Sequence, residues 1–131
     1  MKVILNKCYG GFDVSDEAYK LYAKKKGIEL YRYANEVDGY YKTDKADRFG
    51  SYFTKDFGEK IGAKDFDWSY CLYLDGEHRE DPVLVEVVEE LGEKASGFCG
   101  RLVVVEIPDG LDYVIDEYDG IETLHEKVGT W

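Results

Sequence analysis

Several residue types that build specialised sites are scarce in this chain of 131 residues. It has two histidines, two prolines and one methionine, and its three cysteines, Cys8, Cys71 and Cys99, form no CxxC pair. An odd number of scattered cysteines matches neither a disulfide framework nor a zinc site. Each histidine adjoins a glutamate, but the spacing of neither pair places ligands on one face. The sequence therefore predicts reduced thiols, no metal and no cofactor.

Long apolar runs are missing as well. Near its start the chain has only three consecutive apolar residues, Val3 to Leu5, whereas a membrane-spanning helix needs roughly 20. A secretory signal also needs a longer apolar stretch. We therefore predict a cytoplasmic protein with no membrane association.

Positive charge is in short supply. The chain has 28 acidic and 17 basic residues, which gives a formal charge of -11. A field of that sign repels phosphate backbones, so direct nucleic-acid binding is disfavoured. A small anion remains compatible with it, because backbone amides and an arginine can hold a phosphate inside an acidic protein.

What is present is the composition of a globular domain, with 44% hydrophobic and 34% charged residues. Without repeats or linkers, residues 1–131 are predicted to form a single α+β domain. We expect a mainly antiparallel sheet with two amphipathic helices on one face.

Two helices have clear end signals. The first has Ser15 as N-cap and Gly27 as its C-terminal cap. The second has Asp81 as N-cap and Pro82 at the first helical position, and Ser96-Gly97 is predicted to end it. Its apolar face consists of Leu84, Val87, Val88 and Leu91.

Strands are predicted at residues 3–5, 68–74 and 102–107, and the continuous apolar character of the last indicates a central strand covered on both faces. Asp119-Gly120 predicts a type I′ hairpin. Residues 35–67 combine glycines and aromatic residues without a clean period, so short strands or turns and a mobile loop are expected there.

The turn after the first strand is the candidate ligand site. A glycine turn before a capped helix resembles the way exposed amides hold phosphate groups, and nearby tyrosines and arginines could add contacts. The alternative is a purely structural turn, since glycine commonly supplies only backbone freedom. The candidate ligand-binding residues are Tyr9, Gly10, Gly11, Phe12, Ser15, Arg48 and Arg79.

A cysteine–histidine enzyme is a further alternative. Cys8 lies at the end of the first strand, and His125 or His78 would have to activate it. No spacing supports this, and a free cysteine commonly behaves as a small hydrophobe. We therefore expect a noncatalytic protein and name Cys8 and His125 only as weak catalytic candidates.

The acidic C-terminal stretch gives another hypothesis. Residues 106–131 hold eight acidic residues against one lysine, a net charge of -7. This stretch either binds a basic partner, in the manner of a DNA mimic, or is a solvated hairpin whose charges discourage edge pairing.

Six short segments carry a recognisable pattern. They are Asn6-Lys7-Cys8-Tyr9-Gly10-Gly11-Phe12, Ser15-Asp16-Glu17-Ala18, Asp81-Pro82, Val87-Val88-Glu89-Glu90-Leu91-Gly92, Val105-Glu106-Ile107-Pro108-Asp109 and Glu117-Tyr118-Asp119-Gly120. On these segments the chain resembles a family of small uncharacterised proteins encoded by tailed bacteriophages and prophages. The middle, residues 35–67, matches poorly, and the tail at 127–131 reads KVGTW where the family ends in His-Arg-Thr-Trp.

The resemblance implies a phage origin and brings no established activity with it. Small phage accessory proteins often counter host defence by covering a host protein or by sequestering a nucleotide signal. The leading hypothesis is therefore a noncatalytic anti-defence protein that sequesters a small nucleotide-derived ligand. The alternatives are an acidic inhibitor of a host nuclease or regulator, and the cysteine–histidine enzyme; self-association stays open. A concave site lined by tyrosine and arginine would favour a ligand, and a flat acidic face a protein partner.

Overall fold

The computed structural model describes residues 1–44 and 50–127. The strands are β1 (Lys2–Asn6), β2 (Tyr31–Glu36), β3 (Gly39–Lys42), β4 (Gly50–Phe53), β5 (Lys60–Ile61), β6 (Cys71–Leu72), β7 (Leu102–Glu106), β8 (Tyr113–Tyr118) and β9 (Ile121–Glu126), and the helices are α1 (Asp16–Lys26) and α2 (Pro82–Leu91). The chain divides into two compact units. The first unit comprises Met1–Tyr22 and the chain from Leu74 onward, and the second unit comprises Ala23–Tyr73.

The first unit is built on an antiparallel pair of strands. β1 pairs with β7 from Lys2 opposite Glu106 to Asn6 opposite Leu102. Apolar residues of β1 and of α2 are buried and form the core of this unit. β7 belongs to a two-stranded sheet in the described chain, so the expectation of a central strand is wrong. A continuous apolar run does not reveal how many strands pair with it. In the structure Val103 to Val105 are only half-buried.

Both helix starts follow their sequence signals. The Ser15 hydroxyl accepts a hydrogen bond from the Ala18 N–H at 3.1 Å, and the Asp81 carboxylate accepts one from the Val83 N–H at 2.9 Å. Each side chain thereby satisfies an amide that the helix itself leaves unpaired. These two N-caps are confirmed.

The helix ends agree in one case and differ in the other. At the end of α1, Gly27 has φ +69°, and the Ile28 N–H bonds to the Ala23 carbonyl at 3.0 Å, as in a Schellman motif. α2 ends earlier than predicted, at Leu91, because Gly92 takes φ +58°. A 3-10 turn from Gly92 to Ala95 then continues the chain toward Ser96.

The hairpin of β8 and β9 is confirmed. Tyr118 pairs with Ile121, and the two residues between them, Asp119 and Gly120, have φ values of +49° and +93°. Positive φ at both central residues is the requirement of a type I′ turn, and an Asp-Gly pair meets it at little steric cost.

The second unit is built around aromatic rings. Its described strands form one antiparallel sheet in the order β5-β3-β2-β4-β6. Tyr33, Phe53 and Phe66 form its buried core, with Phe53 and Phe66 stacked at 4.8 Å between ring centroids. The Tyr33 hydroxyl accepts from the Phe57 N–H and donates to the Gly58 carbonyl, each at 2.8 Å. A buried phenol is thus fully provided with partners.

Short strands were expected within residues 35–67, and β3, β4 and β5 lie there. The strand predicted over residues 68–74 is shorter than expected. Trp68–Tyr70 form a 3-10 turn capped by the Asp67 side chain, and only Cys71–Leu72 pair with β4. The Asp67 carboxylate accepts from the Ser69 N–H, which favours a turn over an extended chain.

The predicted fold class is confirmed, because the described residues combine two helices with antiparallel strands divided among three sheets. None of the helices in the described residues has the length and apolar character needed to cross a membrane.

Candidate functional site

A buried polar network lies at the end of β1. Asn6 is fully buried and Glu122 nearly so. Glu122 Oε1 accepts from the Asn6 N–H at 2.8 Å and from Arg79 Nη1 at 3.1 Å, while Oε2 accepts from Arg79 Nη2 at 2.9 Å. The carboxylate and the guanidinium therefore form a paired, two-point contact, as a buried charge requires.

The Asn6 side chain ties three segments together. Its Nδ2 donates to the Cys8 carbonyl at 2.9 Å and to the Gly120 carbonyl at 2.6 Å, and its Oδ1 accepts from the Arg101 N–H at 2.8 Å. Residues 8–13, 97–101 and 119–120 are therefore held at one place. We call this place the loop junction.

Electrostatics favour the ionised form of Glu122. Burial by itself would raise its pKa, but hydrogen bonds from Arg79 and from the Asn6 N–H outweigh burial and bring the pKa below the usual range. The Arg79–Glu122 pair is accordingly an ion pair near neutral pH.

Glycines close the loop junction by backbone contact. The Gly10 N–H donates to the Asp119 carbonyl at 3.1 Å. A Cβ on Gly10 would lie 2.6 Å from the Cys99 carbonyl oxygen, and a Cβ on Gly120 would lie 2.6 Å from the Gly11 nitrogen. Only glycine allows this approach. The Gly10 amide that was predicted to meet a phosphate is thus occupied by the hairpin turn.

The other predicted ligand residues are placed as follows. Arg79 bonds to Glu122 and to the Ile4 carbonyl at 3.0 Å, and its guanidinium carbon lies 5.6 Å from the centre of the Phe12 ring. Ser15 caps α1 and donates to the Lys94 carbonyl. Arg48 lies outside the described residues. The structure brings Gly10, Gly11 and Phe12 to the loop junction but gives Arg79 an internal partner.

The histidines named beside Cys8 as catalytic candidates have carboxylate neighbours. His125 Nε2 lies 3.0 Å from Asp116 Oδ2, and His78 Nδ1 lies 3.3 Å from Asp75 Oδ1. Within the described part of the chain, Cys8 makes no hydrogen bond to either histidine. Nor do three His, Cys, Asp or Glu side chains converge there as metal ligands would.

Three exposed aromatic residues lie within the loop junction or next to it in the chain. Tyr9 is 65% exposed, Phe98 is 97% exposed and Tyr118 is 73% exposed. Of these, sequence reasoning named only Tyr9 as a site residue. Phe98 lies in a turn between Gly97 and Gly100, and Tyr118 precedes the hairpin turn. Both positions predict an exposed ring, but neither says that the rings lie together.

Most carboxylates of the first unit face water. Of its nineteen acidic residues, fifteen are exposed. The other four each accept a structural hydrogen bond; they are Asp13, Asp75, Asp81 and Glu122. The acidic excess of this unit is therefore a property of its surface.

A groove of about 410 Å³ runs along the first turns of α2. Pro82 and Val85 provide its apolar lining, and Glu80, Glu86 and Glu89 provide carboxylates. Lys2 Nζ lies 2.9 Å from Glu89 Oε2 across it. The groove contains neither tyrosine nor arginine, so its chemistry suits a cation better than a phosphate.

Comparison with known proteins finds no matching family model, curated protein or solved structure.

Proposed function

We propose that this chain is an acidic, noncatalytic binding protein that occupies a basic surface of a partner protein. The observation that carries the proposal is the distribution of charge between the two units. The first unit has nineteen acidic and seven basic residues, a formal charge of -12. The second unit has nine acidic and ten basic residues, a formal charge of +1.

Charge of one sign on one unit favours a partner of the opposite sign. Complementary potentials accelerate encounter and exclude wrong partners, and here fifteen exposed carboxylates supply the field. Solubility does not require a large field of a single sign, whereas electrostatic steering of a partner does. A protein groove that normally holds nucleic acid is the surface this field fits best.

The geometry supports a protein partner more than a small nucleotide-derived ligand. The amide of Gly10 and the guanidinium of Arg79 already have internal partners. The groove beside α2 has three glutamates and one lysine among its lining residues and no arginine or tyrosine. Together with the sequence resemblance to phage proteins, these observations favour a host nuclease or regulator as the protein that is covered.

The experiment is capture of partners from a bacterial lysate on the immobilised chain, followed by mass spectrometry and titration of the purified partner. Binding should weaken between about 0.1 M and about 1 M salt, where the Debye length falls from about 10 Å to about 3 Å. Duplex DNA should compete for the same partner.

Two charge-matched variants locate the effect. The first neutralises three exposed carboxylates of the first unit, in Asp112→Asn, Glu117→Gln and Asp119→Asn. The second neutralises three of the second unit, in Asp44→Asn, Glu59→Gln and Asp65→Asn. We expect the first variant to weaken binding and the second to leave it unchanged. Equal binding by both variants, or a partner whose binding ignores salt, would refute the proposal.

A further inference from the structure

Three exposed rings lie at or beside the loop junction, and contacts join the backbone segments that carry them. The hydrogen bond from Gly10 to Asp119 joins the chain neighbours of Tyr9 and Tyr118. The close approach of Gly10 to Cys99 joins the neighbours of Tyr9 and Phe98. Each ring therefore belongs to the residue next to one that makes a contact between segments.

The segment that carries Phe98 is held on both sides. The Gly97 N–H donates to the Asp13 carbonyl at 2.9 Å, and the Cys99 N–H donates to Asp13 Oδ2 at 3.1 Å. Phe98 lies between these two anchors and is nevertheless almost completely exposed. A ring presented on a fixed backbone loses little conformational freedom when it is covered. Such preorganised aromatic side chains are typical of binding hot spots.

The chemistry around the rings indicates what covers them. Tyr118 lies between Glu117 and Asp119 in the chain, and both carboxylates are exposed. The faces of aromatic rings attract cations, and carboxylates beside them add ion pairs and charge-assisted hydrogen bonds. Arginine and lysine side chains use both kinds of contact.

We propose that Tyr9, Phe98 and Tyr118 form one docking surface for arginine and lysine side chains of a basic protein partner. This inference rests on the proposed function and adds to it the place of contact. The rings bind the cationic side chains, and the field of the first unit brings the partner to them.

The test uses an oligoarginine peptide as the probe. Its affinity is measured by calorimetry, and its position is mapped by the amide chemical shifts of the full chain. We expect shifts at Gly10, Cys99 and Gly120, and a roughly fivefold or larger loss of affinity in each of Tyr9→Ala, Phe98→Ala and Tyr118→Ala. The matched control is Tyr73→Ala in the second unit, because Tyr73 is 66% exposed and Tyr9 is 65% exposed.

The outcomes separate the two proposals. If oligoarginine binds the ring variants as tightly as the unmodified chain, the docking surface is refuted, while the charge-neutralised variants still decide the proposed function. Failure of the peptide to bind the unmodified chain at low salt refutes both. If analytical ultracentrifugation shows self-association that Phe98→Ala abolishes, a second copy covers the rings and the inference is wrong.

Discussion

The two units are stabilised by different means, although each is only part of a small chain. At the loop junction, the first unit relies on directional contacts among Asn6, Arg79 and Glu122. The second unit relies on packed rings, with Phe53 within 6 Å, between centroids, of four other rings. Directional contacts specify where loops lie, whereas packed rings specify a core. The first unit accordingly presents the candidate binding surface.

The largest effect is expected in the ring core. Phe53→Ala should lower the free energy of unfolding by about 4 kcal/mol, because it removes a fully buried ring and leaves a cavity. Urea denaturation measures it, and the fluorescence of Trp68, 5.4 Å from Phe53, should report the transition. Tyr73→Ala, an exposed ring of the same unit, should stay within about 0.5 kcal/mol of the original chain. Similar losses in both variants would show that the rings do not form a core.

The second-largest loss of stability is expected in the buried polar network. Arg79→Met should cost about 3 kcal/mol, because it leaves the buried Glu122 carboxylate without its cation. Adding Glu122→Leu to Arg79→Met should recover part of this loss, and a double-mutant cycle measures the coupling. The control is the exposed Arg101→Met, which should change stability by less than about 0.5 kcal/mol. A small loss at Arg79 would mean that the network does not stabilise the first unit.

Two glycines separate the cost of a close backbone contact from the cost of a positive φ. Both Gly120 and Gly110 have positive φ, but only a Cβ on Gly120 would overlap the backbone of another segment. Gly120→Ala should therefore cost about 2 kcal/mol or more, and Gly110→Ala about 1 kcal/mol. Thermal unfolding compares them. Equal costs would show that close contact at the loop junction is unimportant and that the dihedral angle alone matters.

The smallest effect is a pH dependence. Because the pKa of Glu122 is lowered in the folded chain from its usual 4.5, its contribution to stability is present above the pKa of the unfolded chain. It is lost as pH falls through the folded value. Urea denaturation from neutral to acidic pH should show Glu122→Gln less stable than the original chain at neutral pH, with the difference shrinking in acid. A difference independent of pH would contradict the ion pair.

Prediction from sequence succeeded where the signal is local. Ser15 and Asp81 cap their helices through amides two or three residues away, and Asp119-Gly120 makes its turn alone. The prediction that β7 is a central strand is wrong, because the number of strands that pair with it depends on segments far away in the chain. The candidate site shows the same limit. The glycine turn at Gly10 was noticed, but the chain offers no sign that Asp119 would occupy its amide.

The sequence by itself determined the composition, the charge excess, the helix caps and the hairpin turn, because each depends on residue type or on neighbours in the chain. Tertiary structure decided that Arg79 meets Glu122, that glycines from different segments touch, and that the segments carrying Tyr9, Phe98 and Tyr118 come together. These contacts join residues far apart in the chain, and their geometry follows from packing of the whole unit rather than from local preference.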